Sequence, residues 1–300
     1  MVPAAPVAPL AVVAALLHPA QQIGWLNWTV HPSTVIGLAA LAGLYEWRAN
    51  EQGRGTSVRP ASLVPRPSPG QRLAFYAGLL LMFVALNGPL HDLSDSYLFS
   101  AHMVQHLLLS LVVAPLLIVG TPGWMLRPLL AVRGLDALAR RVTGGPACFV
   151  IFNVVLAAWH VPALYNLALA HHPIHIAQHL TLLAASVLMW WPILSPLPEL
   201  PRLAYPGQML YCFLMVIPMS VVAIYIAMAD HLLYPAYASA PRLWGISPSM
   251  DQQIGGLIMW IPGGLFFYGV MTVVFFKWAS RGEDTTAAAQ VGWRGAKPLW

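Results

Sequence analysis

Residues 203–229 read LAYPGQMLYCFLMVIPMSVVAIYIAMA and contain no Asp, Glu, Lys or Arg. A helix needs about 20 mostly apolar residues to cross the hydrocarbon core of a bilayer, so this stretch is long enough for one membrane span. Residues 252–276 are equally free of charge and can hold one more span, and residues 142–198 can hold two. These stretches predict a bundle of membrane helices.

The composition supports that prediction. Charged residues make up 8% of the chain, whereas a soluble domain carries about 25% and needs them to cover its surface. We predict an all-α, polytopic membrane helix bundle of about seven transmembrane helices in domain 33–278, after an outward N-terminal segment (1–32) and before a mobile cytoplasmic tail (279–300). The predicted spans are 33–48, 72–90, 100–119, 147–165, 174–194, 208–229 and 254–277.

The basic residues indicate the orientation. With these spans, Arg242 lies on one side of the membrane and the other fourteen of the 15 Lys and Arg lie on the opposite side. The positive side is the cytoplasm, so we expect the N-terminus outside and the C-terminus inside. This topology accounts for the net charge of +5, which therefore gives no reason to expect a nucleic-acid partner.

The segments outside the predicted spans give weaker signals of their structure. The apolar run at 10–17 is too short to span, so we expect an outer or interfacial segment; the alternative is an extra membrane segment within residues 4–23. We predict an irregular inner loop at 49–70 and a short amphipathic helix at 129–142. Cys148 and Cys212 are expected to be core residues, because two cysteines are too few for a disulfide scaffold.

The histidines concentrate at the other side of the predicted bundle. His102 and His106 are four residues apart, and His172, His175 and His179 follow a spacing of three and four, so each set shares one helical face. Other spans end nearby in imidazole or carboxylate side chains, which are His91, Asp92, His160 and His231. We therefore expect several helices to present these groups at a similar depth on the outer face.

Imidazole groups at membrane depth need partners, because charged side chains there cost about 2.5–3.5 kcal/mol on insertion scales and polar ones face the bundle interior. Imidazole binds copper, zinc, iron and nickel, so we predict a metal site. A hydrogen-bond or proton network and structural packing are the alternatives. His18 and His31 are expected to face solvent.

Methionine sulfur offers another possible ligand. Met209, Cys212, Met215 and Met219 lie near one stripe of the sixth span. Thioether and thiolate ligands select Cu(I), but methionines at helical spacing more often fill the core, so we expect packing there. Met103 and Met228 lie nearer the histidines and are better ligand candidates.

Four motifs resemble the CtaG-type cytochrome c oxidase assembly factors, which are multi-span bacterial membrane proteins. They are HMVQHLLL at 102–109, AWHVPALY at 158–165, HIAQH at 175–179 and DQQIGGLIMW at 251–260. The resemblance implies a seven-helix bundle in the bacterial inner membrane, with His102, His106, His160, His175 and His179 as motif histidines. Gln178 stands where family members frequently have Glu, so Asp251 or Asp92 could supply the carboxylate.

The resemblance implies an assembly factor that binds or delivers copper to a haem–copper oxidase. Its partners would be oxidase subunits, the lipid bilayer and a periplasmic copper chaperone. We find no nucleophile triad, phosphate loop or dinucleotide fingerprint, and so expect no catalytic residue and no enzyme. Two alternatives remain open: a haem-binding electron carrier that uses His106 and His179 on facing helices, and a copper transporter.

Overall fold

The computed structural model describes residues 28–54 and 66–295, with side chains over 28–50 and 66–281. This part of the chain is helical and contains no strand, which confirms the predicted all-α class. Its helices are α1 (Pro32–Arg54), α2 (Pro69–Leu86), α3 (Pro89–Ser96), α4 (Phe99–Gly120), α5 (Gly123–Leu130), α6 (Leu135–Val142), α7 (Gly145–His160), α8 (Pro162–Ala170), α9 (His172–Leu194), α10 (Tyr205–Ala227) and α11 (Pro248–Gly295).

Within the described residues, five helices are long and apolar enough to cross a membrane, namely α2, α4, α9, α10 and α11. A sixth span exists if α6 and α7, which meet at an angle of 80°, count as one. Helix α1 covers the predicted first span, but its apolar run ends at Glu46 and Arg48. Seven spans and the orientation of the termini therefore stay predictions.

Glycine and proline move several helix ends away from the predicted positions. Span two was predicted to reach residue 90, but α2 ends at Leu86, and Gly88 with φ 77° turns the chain into a separate helix, α3. A short helix forms within the predicted amphipathic stretch 129–142, but it covers only Leu135–Val142 (α6), because Gly134, with φ 83°, separates it from α5. Helix α7 stops at His160 because Pro162 begins α8.

Two ends of the bundle carry different side chains. The first, which we call the histidine end, holds α3 with the adjoining ends of α4, α7, α9 and α10. At the opposite, arginine end, the Arg127 guanidinium pairs with the Glu199 carboxylate at 2.9 Å, and Arg140 donates to the Glu199 carbonyl oxygen at 3.1 Å. The separation of basic residues from histidines predicted from the sequence is thus present in the described fold.

Close contacts hold the histidine-bearing helices in place. Asp251 of α11 accepts hydrogen bonds from the backbone N–H groups of Phe99 and Ser100, at 2.6 and 3.1 Å, and from the Ser100 hydroxyl. These donors belong to the first turn of α4, which has no intrahelical partners for its N–H groups. Asp251 is 2% exposed, so a buried carboxylate fastens α4 to α11.

Three predictions fall wholly or partly outside the described residues. The outward segment 1–32, with His18 and the alternative membrane segment 4–23, is described only from residue 28, and the inner loop 49–70 only at its two ends. Helix α11 continues to Gly295, so its backbone includes residues assigned to the tail 279–300. The mobility of that tail stays a prediction.

Candidate metal centre

Two helices bring four imidazoles face to face. On α4, the rings of His102 and His106 lie on one face with centroids 4.1 Å apart. On α9, the rings of His175 and His179 are 4.5 Å apart, and their Nε2 atoms are separated by 2.9 Å. Across the interface, His102 lies 5.9 Å from His175, and His106 lies 5.4 Å from His179. The spacing that suggested one face on each helix therefore leads to a single cluster.

Helix α7 adds a fifth imidazole at its last residue. The His160 ring is 6.4 Å from that of His106, and its Nδ1 lies 2.7 Å from the Leu156 carbonyl oxygen. Since a carbonyl can only accept, Nδ1 carries the proton and Nε2 keeps a free lone pair. A hydrogen bond to one ring nitrogen commonly orients a metal-binding histidine through the other nitrogen.

Helix α3 contributes the acidic group. One carboxylate oxygen of Asp95 lies 3.4 Å from Nε2 of His91 and 3.4 Å from Nδ1 of His175. Asp95, His102 and His175 each offer one ligand atom, and these atoms all lie within 4.8 Å of one another. We call His91, Asp95, His102, His175 and His179 the outer cluster.

Asp95 was not among the predicted site residues, although it follows His91 by four positions and so shares its helical face. Its role depends on how α3 folds back onto α4. Gln105 of α4 fixes that position, because its amide nitrogen lies 2.6 Å from the Ala85 carbonyl oxygen and 3.2 Å from Nδ1 of His91. The Ser94 hydroxyl lies 3.1 Å from the Gln105 amide oxygen. These contacts could not be foreseen from spacing.

Several buried ring nitrogens have no hydrogen-bond partner among the described residues. They are both nitrogens of His102 and of His106, Nε2 of His160 and Nδ1 of His179. A buried polar group without a partner costs about 1–3 kcal/mol, and a whole domain is stable by only about 5–15 kcal/mol. The fold therefore holds a set of imidazole lone pairs and N–H groups that a species outside the chain can satisfy.

The acidic and basic groups of α3 favour their neutral forms. Burial is the main reason that the pKa of the Asp95 carboxyl is raised to about 7; a hydrogen bond from Ser94 opposes this shift and the nearby Asp92 adds to it. Burial also lowers the pKa of His91 to about 4, with neighbouring imidazoles acting in the same direction. A neutral imidazole keeps a lone pair for a metal, and a nearby cation favours the ionised carboxylate.

Not every predicted site residue joins this centre. Asp251 caps α4, so its oxygens are already engaged. The Asp92 carboxylate accepts a hydrogen bond from Thr29 at 3.1 Å, and His231 is exposed, with its carbonyl oxygen bound to Gln252. His172 is exposed at the edge of the cluster.

The expectation that His31 faces solvent is wrong. His31 is half-buried, and its ring lies 4.6 Å from the His91 ring and 6.1 Å from the His172 ring. Its position follows from the hydrogen bond that the His31 backbone N–H donates to the Asn87 side chain at 2.8 Å. His31 and His172 thus extend the file of imidazoles toward the surface.

A cleft leads to the outer cluster. It has a volume of about 450 Å³ and lies between α1, α2 and α9. His91, His175 and His179 line it together with apolar residues such as Leu38, Met82 and other side chains of these helices. The outer cluster is therefore buried within the bundle but adjoins an open space.

One of three comparisons with known proteins found a match. No curated protein and no solved structure matches the chain. The family described as cytochrome c oxidase caa3 assembly factor (Caa3_CtaG) matches residues 41–281 of the 300, which include all five motif histidines and Asp95. The chain belongs to the cytochrome c oxidase caa3 assembly factor family.

Proposed function

We propose that this protein receives copper at the outer face of the bacterial inner membrane and passes it to a haem–copper cytochrome c oxidase during assembly. Membership of the assembly-factor family supports the oxidase as client. The outer cluster supports copper as cargo. In this proposal the protein turns over no substrate, and its partners are oxidase subunits and a periplasmic copper chaperone.

The observation that carries the proposal is the grouping of Asp95, His102 and His175, whose ligand atoms lie within 4.8 Å of one another. Donor atoms bound to one ion at about 2.0–2.2 Å lie up to about 4.4 Å apart. The three ligand atoms therefore need to move together only slightly to bind the same ion. Neither ring nitrogen of His102 has a hydrogen-bond partner among the described residues. Imidazole and carboxylate together suit Cu(II), Zn or Ni. Copper is the expected ion among these because the proposed client is a haem–copper oxidase.

The surroundings of Asp95 favour a cation. Burial disfavours its ionised form and raises its pKa to about 7. A metal ion would supply the positive charge that makes ionisation favourable, and metal binding would then release a proton. His102, His175 and His179 contribute neutral lone pairs beside this single acidic group.

The arrangement also suits release of the ion. His31 and His172 extend from the outer cluster to the surface, and the cleft of about 450 Å³ reaches His91, His175 and His179. A site closed on all sides holds its metal as a structural element, whereas an accessible site permits ligand exchange. Partial access therefore fits a protein that hands copper on.

The haem alternative finds less support. His106 and His179, the pair suggested for axial ligation, have ring centroids 5.4 Å apart and an angle of 78° between their planes. The space beside His106 is a cavity of about 20 Å³, whereas pockets for drug-sized ligands measure about 300–1,000 Å³. A macrocycle would require the helices to separate.

The test compares copper content and oxidase maturation. We expect purified wild-type protein to bind Cu(II) and the double variant Asp95→Asn/His175→Ala to lose it, while Asp92→Asn/His231→Ala, a control outside the cluster, retains it. In cells, the first variant should reduce oxidase activity while the oxidase polypeptides remain present. Equal Cu(II) binding by the wild type and the cluster variant, or normal oxidase activity with that variant, would refute the proposal.

A further inference from the structure

A second, deeper cavity lies below the outer cluster. It has a volume of about 20 Å³, and about 10–15 Å³ is enough for a single water-sized particle. Helices α4, α7, α9, α10 and α11 contribute side chains to its wall. The lining side chains that carry an imidazole nitrogen or a thioether sulfur are His106, His160, Met103, Met219 and Met259.

These side chains are buried. Met103 is 1% exposed and Met219 and Met259 are each 3% exposed, while His106 is 6% and His160 3% exposed. Methionines in a core commonly serve as flexible filler, so three thioethers around a small cavity would mean little alone. The second observation is that both ring nitrogens of His106 and Nε2 of His160 have no partner among the described residues.

The two histidines of the cavity, His106 and His160, differ in their hydrogen bonds. His160 donates from Nδ1 to the Leu156 carbonyl oxygen at 2.7 Å, which leaves the Nε2 lone pair free. His106, whose ring is 6.4 Å from that of His160, lies between the cavity and the outer cluster. The cavity thus offers imidazole nitrogen beside thioether sulfur.

We propose that this cavity is a second metal site, selective for Cu(I), with His106, His160, Met103, Met219 and Met259 as its ligand set. Soft thioether ligands select Cu(I). Among the described residues that line the cavity none is acidic, and a monovalent ion loses less hydration free energy than a divalent ion on entering an apolar interior.

The inner site differs in chemistry from the outer cluster, which contains the Asp95 carboxylate. Asp95 favours a divalent ion, and the inner thioethers favour Cu(I). The inference rests on the proposed role in copper handling, but it requires its own ligands and involves no change in oxidation state. The main alternative occupant of the inner cavity is a water molecule hydrogen-bonded to the imidazoles of His106 and His160.

The test is X-ray absorption at the copper edge, on full-length protein labelled with selenomethionine and loaded with Cu(I) without oxygen. We expect selenium among the neighbours of copper in the wild type. The variant Met103→Leu/Met219→Leu/Met259→Leu, which nearly conserves side-chain volume, should lose that signal. Met189→Leu, at a buried methionine outside the cavity, should keep it.

Competition with a Cu(I) chelator gives a second measurement, in case the triple variant does not fold. Each single Met→Leu variant should weaken Cu(I) binding by about tenfold or more, and Asp95→Asn should leave the selenium signal intact. Copper bound only through nitrogen or oxygen would overturn the inner site while leaving the proposed function standing. A selenium signal that survives the triple substitution, or no Cu(I) bound at all, would overturn it as well.

Discussion

The Asp95 carboxylate illustrates how much depends on a single side chain. It is half-buried and lies 3.4 Å from nitrogens of His91 and of His175, and it is the acidic member of the candidate ligand group. Asp92, three residues earlier, turns toward Thr29 instead. Two acidic residues on one short helix therefore have different surroundings.

This difference leads to a prediction for Asp95→Asn. The amide keeps the shape of the side chain but removes its charge, so we expect Cu(II) affinity to fall by about 10–100-fold. Asp92→Asn should change that affinity by less than about threefold, because Asp92 is outside the ligand group. A competition titration of both purified variants measures the two values, and an equal loss in both would contradict the assignment.

The sequence reveals part of the site at this scale. The spacing of His102 and His106, and of His175 and His179, predicts shared helical faces, and the structure confirms both. Asp95 and His31 could not be assigned, because their positions depend on the turn at Gly88 and on the packing of α3. The cap formed by Asp251 could not be predicted either. Asp251 is 152 and 151 positions away from Phe99 and Ser100, to which it binds, and helical periodicity gives no information about contacts between different helices.

At the scale of the element, α4 contains an unusual turn. Residues Leu108–Val113 form a π-helical segment, in which the Ala114 N–H donates to the carbonyl oxygen of Leu109, five residues earlier. Pro115 has no N–H group, so the Ser110 carbonyl lacks a helical donor from either residue. Trp190 of α9 supplies that bond from its indole Nε1 at 2.8 Å.

The hydrogen bond predicts unequal effects for two adjacent tryptophans. Trp190→Phe removes the donor and leaves the buried Ser110 carbonyl unpaired, so we expect a loss of about 1–3 kcal/mol in the free energy of unfolding. Trp191→Phe should cost less or be neutral, because the Trp191 Nε1 has no partner among the described residues. Thermal unfolding in detergent compares them, and similar midpoints would contradict the proposed role of Trp190.

Helices α10 and α11 pack backbone to backbone. A Cβ added at Gly256 would lie 2.8 Å from the Ala227 backbone nitrogen and 2.9 Å from the Ala223 carbonyl oxygen. Small residues allow such close approach between membrane helices. Gly269, on the same helix, has nothing within 4 Å of an added Cβ.

We therefore expect the same Gly→Ala substitution to have different effects on stability at two positions of α11. Gly256→Ala should destabilise the protein by about 1–3 kcal/mol, because α10 and α11 must move apart. Gly269→Ala should be neutral or stabilising by about 0.5–1 kcal/mol, since alanine is the better helix former. Unfolding midpoints in the same detergent test this, and a stable Gly256→Ala variant would show that the interface tolerates the added methyl.

At the scale of the whole molecule, the sequence predicts the class of fold well. Charge-free stretches of about 20 residues identify α10 and α11, and the described chain is helical as expected. The sequence predicts the number of spans less well, because α1 carries Glu46 and Arg48 in its second half and α7 has only 16 residues. The inner cavity could not be predicted, since side chains from five helices far apart in sequence form it.

The distribution of charge predicts which end of the bundle faces the exterior. Ser239 lies exposed in the loop at the histidine end, and Ser280 lies exposed on α11 at the arginine end. A membrane-impermeant maleimide should label Ser239→Cys in intact cells but Ser280→Cys only after lysis. The native Cys148 and Cys212 are buried and should remain unlabelled, and the reverse labelling pattern would refute the predicted topology.

The bond between Asp251 and the first turn of α4 has a mechanical consequence. Helix α11 runs unbroken from Pro248 past Arg281, with Pro262 inside it, and its first turn is bonded to the helix that bears His102 and His106. We expect a change in the tilt of α11 to shift these two imidazoles, because the buried carboxylate couples the two helices. A partner bound to α11 at the arginine end would then alter the ligand positions at the histidine end.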